Sequence, residues 1–341
     1  MEEWREARQY RKGEGLAADC SLCNHRCHIQ EGKHGICGVR VNRGGTLYAT
    51  SFGKVSAEAV DPIEKKPLFH YLPGTRSYSL GSVGCNFRCE HCQNWHISRQ
   101  GADRVLLTDL SPEEGVRRAQ ARQCASISWT YNEPTIWHEY PLEMGTLAKK
   151  AGLGTVYVTN GYITEDALRE LAGMLDAFRV DIKAFTDEFY RKVCGAHLQP
   201  VLDSTTLARE LGMHIEVVNL MIPGLNDSPE ETEALVSWVL EHLGPDTPVH
   251  FTAFHPDYQM TGPKPTPVAT LERAYRQARD LGLHYPYLGN VFMHRLESTY
   301  CPACGTLLIE RHGFSATFRN LSGHQCTNCG EGIAYVERAG T

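Results

Sequence analysis

From Arg76 to Leu296 the chain keeps one beat: a short apolar run, a polar loop, then an amphipathic helix. The runs are YSLGSVG (78–84), ASISWTY (125–131), GTVYVTN (154–160), AFRVDIK (177–183), HIEVVNLMI (214–222) and PVHFTAF (248–254), with a weaker seventh, YPYLGNVF (285–292). Short segments rich in Val, Ile and Tyr suit parallel strands buried on both faces. Helix signals fall between them. SPEEGVRRAQARQ (111–123) opens with a serine cap, a first-turn proline and acids, and SPEETEALVSWVLEHLG (228–244) repeats that opening and stops on glycine. TEDALRELAGML (164–175) and TPVATLERAYRQARDLG (266–282) carry apolar residues at helical spacing. This alternation predicts an α/β fold, a parallel barrel or open sheet, whose functional residues collect at the C-terminal ends of the strands.

At 341 residues, 42% hydrophobic and 22% charged, the chain can bury one large core and carry small appendages. Three regions are expected: a Cys-rich metal-binding region (1–75), the α/β core (76–297) and a cysteine-knuckle segment (298–341). The first reads as irregular, apart from one or two short strands in LYATSFGKVSAEAV (47–60). A net charge of −6 with both signs mixed gives no bulk case for nucleic-acid or anionic-membrane binding. No apolar run approaches the roughly 18 residues a membrane helix needs. MEEWREARQYRKGEG at the N-terminus has no signal-peptide core, so a cytoplasmic location is expected.

Eleven of the 13 cysteines fall in three clusters, and without a secretion signal such spacings read as metal ligands rather than disulfides. Cys124 and Cys194 are left over and read as small buried hydrophobes. Cys20, Cys23, Cys27 and Cys37 suit either zinc or an auxiliary iron–sulfur cluster; spacing does not separate these, and His25, His28 and His34 compete as ligands. Cys301, Cys304, Cys326 and Cys329 form two knuckles like those of a zinc ribbon or rubredoxin. The plain role there is structural zinc; a clamp on a macromolecule or an electron-entry site are the alternatives.

The middle cluster, Cys85, Cys89 and Cys92 in GCNFRCEHCQNW (84–95), directly follows the first strand and stops at three ligands. Closed zinc and iron–sulfur sites take four. C-x3-C-x2-C at this place resembles the signature of the radical S-adenosylmethionine (SAM) enzymes. In that family three thiolates hold a 4Fe–4S cluster, and the amino and carboxylate groups of SAM chelate the fourth iron. A zinc knuckle borrowing a distant ligand is the competing reading. Further segments match in order, each after a strand. WTYNEPT (129–135) is similar to the segment that holds the SAM amino group, with Asn132 and Glu133 matching although Tyr–Asn replaces two glycines. Asn160 in VTNGY is implied at the ribose or methionine part, and NLMIPGLND (219–227) near adenine. DIK resembles the Asp-x-Lys of glycyl-radical activating enzymes, which implies SAM contacts for Asp181 and Lys183; His255 in FHPDY matches a SAM-contacting histidine of the same enzymes. The departure is His91, where the family has an aromatic residue against adenine, with Trp95 nearby.

Over residues 18–295 the chain resembles the radical SAM member of the AmmeMemoRadiSam system, itself similar to pyruvate formate-lyase activating enzyme. The resemblance implies a partial (β/α)6 TIM-like barrel, with the N-terminal Cys-rich segment and zinc-ribbon-like C-terminal segment as appendages. It implies reductive SAM cleavage, with hydrogen abstraction from a small molecule or a protein by the 5′-deoxyadenosyl radical. A flavodoxin- or ferredoxin-type one-electron donor, and association with Memo-like and AMMECR-like proteins, are the expected partners. A glycyl-radical-enzyme activase and an RNA-modifying enzyme that clamps its substrate with the ribbon are alternatives. The acidic balance weighs against the RNA reading. An iron–sulfur electron carrier is the non-enzyme alternative, and it leaves the SAM-like segments unexplained.

Overall fold

The computed structural model describes residues 4–100, 104–291 and 295–337. Phe292, the end of the weakest apolar run, and Met1 to Glu3 lie outside them. Seven parallel strands, Arg76–Gly81, Ser126–Trp129, Gly154–Thr159, Ala177–Asp181, His214–Met221, Val249–Ala253 and Pro286–Gly289, lie side by side in chain order. The helices Pro112–Ala121, Glu139–Lys150, Glu165–Leu171, Gln199–Glu210, Pro229–His242 and Val268–Asp280 carry the crossovers. The expected six strand–helix units are thus followed by a seventh strand. Ala57–Pro62 pairs antiparallel with Arg76–Gly81 and forms the other edge. Among the described residues no ladder joins the two edges, so the sheet is open.

The two serine caps form as their sequence suggests: Ser111 Oγ accepts from Glu114 N–H at 3.2 Å and Ser228 Oγ from Glu231 N–H at 3.1 Å. Alternation along the strands separates two faces. Tyr78, Leu80, Ile127, Trp129, Phe178, Val217 and Phe251 pack with the helices in one large core. Full burial of such a side chain contributes roughly 1.5–3 kcal/mol. The opposite face is small or polar though equally buried: Ser77, Ser79, Ser128, Arg179, Glu216, His250 and Thr252.

At the N-terminal ends of the strands this inner face is plugged by the segment 66–72. Glu216, fully buried, accepts from Phe69 N–H at 2.9 Å, His70 N–H at 2.7 Å, His214 at 3.0 Å and His250 at 2.7 Å. Burial alone would raise its pKa, but the two imidazoles hold the carboxyl well below its usual range. His70 spans from Tyr287 Oη (2.6 Å) to the Ala334 carbonyl (2.6 Å), and Val336 N–H donates to the His70 carbonyl at 2.7 Å. Arg311 donates to the Phe69 carbonyl at 2.8 Å. The C-terminal segment therefore closes this end of the sheet.

Residues 4–49 are less irregular than their sequence suggests. They form two three-stranded sheets, Arg5–Glu6, Thr46–Ala49 and Arg40–Arg43, and Tyr10–Lys12, Ala18–Cys20 and His28–Ile29. Asn24 binds the Tyr162 and Ile163 carbonyls at 3.0 and 2.9 Å, and Thr164 Oγ1 donates to the Ser21 carbonyl at 2.7 Å. These contacts seat the segment on the C-terminal ends of the strands. No helix among the described residues is long and apolar enough to cross a membrane.

Candidate active site

Gly84 ends the first parallel strand's exit and turns the chain into the three-thiol loop. Its φ is +84°, and a Cβ there would lie 2.4 Å from the Cys37 carbonyl oxygen. Only glycine meets both demands. Cys89 is buried, Cys85 and Cys92 half-buried. Burial pushes the Cys85 and Cys92 thiols above their ordinary pKa, so their thiolates need a positive partner such as a metal. Beside them, Asn86 Nδ2 and His91 Nδ1 are buried without a hydrogen-bond partner, and Asn160 Nδ2 points at Cys85 Sγ from 3.9 Å. Three soft ligands and spare N–H donors on one loop fit a sulfur-rich cluster better than a hard cation.

The segments that follow the other strands converge here. Asn132 ties the loop to its strand, accepting from Ser82 N–H at 2.9 Å and donating to the Gly84 carbonyl at 3.0 Å. Glu133 takes Thr159 Oγ1 (2.6 Å), Asn160 N–H (2.8 Å) and Thr135 N–H (2.9 Å), although its burial still raises its pKa. Both side chains are engaged in shaping the backbone. Asn160 also donates to Asn86 Oδ1 at 2.8 Å. Asp181 pairs with Arg179 at 2.5 Å and Lys183 at 3.2 Å. Burial opposes its ionisation, but Arg179 and Lys183 hold the carboxyl below its usual range. For Lys183 burial works against the charge, while Asp181 and the Cys89 thiol hold the ammonium above its usual range. The loop bearing Cys89 thus faces a fixed cation.

His91 is buried, and burial together with Lys183 lowers its pKa to about 3, so its ring is neutral. The ring lies tilted, 6.2 Å from Phe189. Across the mouth, Trp95 stacks on Tyr258 at 5.3 Å and Gln259 N–H donates to the Glu90 carbonyl at 3.1 Å. His255 sits on that same rim loop, exposed. Asn226 of the segment 219–227 donates to the Lys183 carbonyl at 2.5 Å, locking the rim behind the fifth strand to the fourth.

One group escaped the sequence reading. Cys194 is more than a buried hydrophobe: its backbone carbonyl anchors the thiol loop. A π-helical turn, Tyr190–Cys194, brings it there, with Arg88 N–H on the Cys194 carbonyl at 2.7 Å and Tyr190 Oη accepting from Lys183 N–H at 3.0 Å. Burial raises the Cys194 thiol well above its ordinary pKa. Cys124 is buried beside Arg122, as a small hydrophobe would be.

The other two clusters differ from each other. Cys301, Cys304, Cys326 and Cys329 place all four sulfurs within 4.8 Å of one another, with Sγ···Sγ distances of 3.5 Å (Cys301 to Cys329) and 3.8 Å (Cys304 to Cys326). A tetrahedral ion with metal–sulfur bonds of about 2.3 Å needs edges of about 3.8 Å, so one ion fits. Cys20, Cys23, Cys27 and Cys37 cluster above the strand ends, where burial and mutual charge raise Cys23, and burial lifts Cys37 to about 11. The nearby histidines point elsewhere: His25 to the Asn86 carbonyl (2.7 Å), His28 to Asp19 (2.6 Å) and His34 to the Gly35 carbonyl (3.0 Å). A half-open cavity of about 850 Å³ runs between this segment and the loop, lined by Cys37, Cys85, His34, Arg88 and Arg99.

Known proteins show the same pattern. A family model described as the Radical SAM superfamily matches residues 80–239, a span that includes all three loop cysteines. An uncharacterised protein of Methanocaldococcus jannaschii is 46% identical over 334 residues, covering 97% of this chain and 99% of that one. The pyruvate formate-lyase 1-activating enzyme of Escherichia coli K12 is 22% identical over 218 residues, 59% of this chain and 87% of that one. Among solved structures, a radical SAM methyltransferase from Sphaerobacter thermophilus shares the fold at a TM-score of 0.50 and 16% identity, over 69% of this chain and 71% of that one. With the thiol loop at the exit of the first strand and the family model matched over residues 80–239, the chain belongs to the radical SAM superfamily.

Proposed function

We propose that the protein is a radical SAM enzyme that abstracts a hydrogen atom from a small molecule or a protein residue, in a setting like that of the AmmeMemoRadiSam system. Cys85, Cys89 and Cys92 would hold the 4Fe–4S cluster. When bound, a reduced cluster supplies one electron to SAM, which splits into methionine and the 5′-deoxyadenosyl radical. The observation that carries this reading is the fixed, partly buried pair Asp181–Lys183, 3.2 Å apart beside the loop thiols. A cation held there attracts a carboxylate, and its acidic partner an ammonium; SAM carries both groups. Asn132, Glu133 and Asn160 position the loop, and the Trp95–Tyr258 stack stands beside it. His255 would reach the nucleoside from the rim. The ribbon cysteines would hold structural zinc, and an external one-electron donor of the flavodoxin or ferredoxin type would reduce the cluster.

The activase alternative draws on the similarity to glycyl-radical activating enzymes, and the Asp-x-Lys pair supports it. Anaerobically reconstituted protein should turn SAM into 5′-deoxyadenosine and methionine, and Cys85→Ala/Cys89→Ala/Cys92→Ala should lose that activity. Product formation by the triple variant at the parent rate would sink the proposal.

A further inference from the structure

The four thiols of the N-terminal segment differ from the ribbon in one decisive respect. Among the described residues, only the ribbon brings three or more metal-ligating atoms within 4.8 Å of one another. Cys20, Cys23, Cys27 and Cys37 do not, although each interacts electrostatically with the others. They share this looser spacing with Cys85, Cys89 and Cys92, which also interact without meeting at a single-ion distance. A tetrahedral ion pulls its sulfurs to edges of about 3.8 Å. A polynuclear cluster holds thiolates farther apart, because several metal atoms and sulfides lie between them.

Three other features agree. The four thiols make a complete ligand set by themselves, and the nearby His28 has both ring nitrogens engaged, with Asp19 and Gln30. Cys20 is packed in the main core beside Leu22, Ile29 and Leu47, while Cys37 reaches the half-open cavity. Arg40 is 1% exposed and its guanidinium acts on both Cys20 and Cys37. Its Nη atoms bind Glu139 (2.8 and 2.7 Å) and the Arg8 carbonyl (3.0 Å), but its buried Nε has no partner. A spare N–H and a permanent positive charge beside sulfurs are the features that set the potential of an iron–sulfur cluster.

We infer that Cys20, Cys23, Cys27 and Cys37 hold a second iron–sulfur cluster, and that it passes electrons to the site at Cys85, Cys89 and Cys92. The contact exists: the Cys37 carbonyl lies against Gly84, the residue before Cys85, and both cysteines line the same cavity. One electron enters from a low-potential donor of the ferredoxin or flavodoxin class, and the same electron moves on to the neighbouring cluster. No bond, proton or ligand changes in either step. The assignment rests on the proposed function only for its second half, the destination of the electron.

The test uses full-length protein made anaerobically with iron and zinc both supplied. Iron, sulfide and zinc are counted in the parent and in Cys85→Ala/Cys89→Ala/Cys92→Ala. The parent should hold two clusters' worth of iron and a single zinc, and the variant half that iron with a reducible paramagnetic signal. One cluster's worth of iron with two zincs in the parent, or an iron-free variant that still folds, overturns the second cluster. For the relay, Cys20→Ser/Cys37→Ser should slow reduction of the remaining cluster by a flavodoxin-type donor at least tenfold. An unchanged rate overturns the relay and leaves the metal assignment standing. Failure of the parent to cleave SAM would count against the proposed function and would not alter the metal counts.

Discussion

Gly84→Ala probes the junction between the two thiol sites without removing a ligand. At φ +84° an alanine is strained by about 1–2 kcal/mol. Its Cβ would also meet the Cys37 carbonyl at 2.4 Å, Val39 Cγ1 at 3.1 Å and Ile136 Cδ1 at 3.3 Å. Two of these neighbours are core side chains and the third is backbone, so relief requires the N-terminal segment to move by most of an ångström, at roughly 1–3 kcal/mol. The sum is about 2–5 kcal/mol. For 341 residues the unfolding entropy is roughly 0.7 kcal/mol per degree, so Tm should fall by about 3–7 °C. The same shift displaces Cys85, and a misplacement of this size near a reacting centre costs on the order of 100-fold in rate. Anaerobic calorimetry and 5′-deoxyadenosine formation read the two effects. Gly32→Ala is the control: its φ is +71° with nothing within 4 Å, so it should show the strain alone and keep its activity. If Gly84→Ala behaved like Gly32→Ala in both assays, the packing argument would be wrong.

Two more expectations follow from titratable side chains. Lys183→Met should leave the visible absorption of the cluster intact and weaken SAM binding by about 10- to 100-fold, the worth of a charged hydrogen bond of about 1.5–3 kcal/mol; bleaching instead would make Lys183 structural. His70 is buried and neutral, with its pKa lowered by burial from 6.5 to about 4. The unfolded chain therefore takes up the proton first, and stability from this group is lost as pH falls from about 6.5 towards about 4. His70→Gln should cost stability at pH 7.5, and its deficit against the parent should narrow towards pH 5 in paired melting curves. A deficit that stays constant with pH would rule out the titration.

Much of the frame was legible because the outward strand residues are large and apolar and the crossovers carry caps. Glu139–Lys150 was not, since Pro141 and Gly145 interrupt its pattern and no Ser or Thr caps it. Gln199–Glu210 hides behind Ser204, Thr205 and Thr206, which favour turns and caps when read locally. The inner face was also invisible. Ser77, Ser79, Arg179 and Glu216 sit inside runs that read as hydrophobic, and only the pleat shows that they share a side. The three-thiol loop could be read because its ligands are local in sequence. Cys194 could not, because nothing in a lone cysteine about a hundred residues downstream says that a π-helical turn will seat its backbone against the thiol loop.

The placement of the three cysteine clusters on the sheet constrains which of them can take part in chemistry. The ribbon meets the strands at their N-terminal ends, through Arg311 on the Phe69 carbonyl and Val336 on the His70 carbonyl. The thiol loop, the Asp181–Lys183 pair and the N-terminal segment gather at the other end. Between them lies the hydrogen-bonded set of Glu216, His214 and His250, in which the Glu216 carboxyl is buried and ionised and which contains no thiol. An electron entering at the ribbon would have to cross the full depth of the sheet, while one entering at Cys20 to Cys37 needs only the contact at Gly84. If the ribbon holds the structural zinc proposed for it, its contribution is mechanical: its strands hold the plug that covers Glu216, and removing the metal would expose that carboxylate before it disturbed the thiol loop. Its loss should lower the melting temperature ahead of any change in SAM affinity.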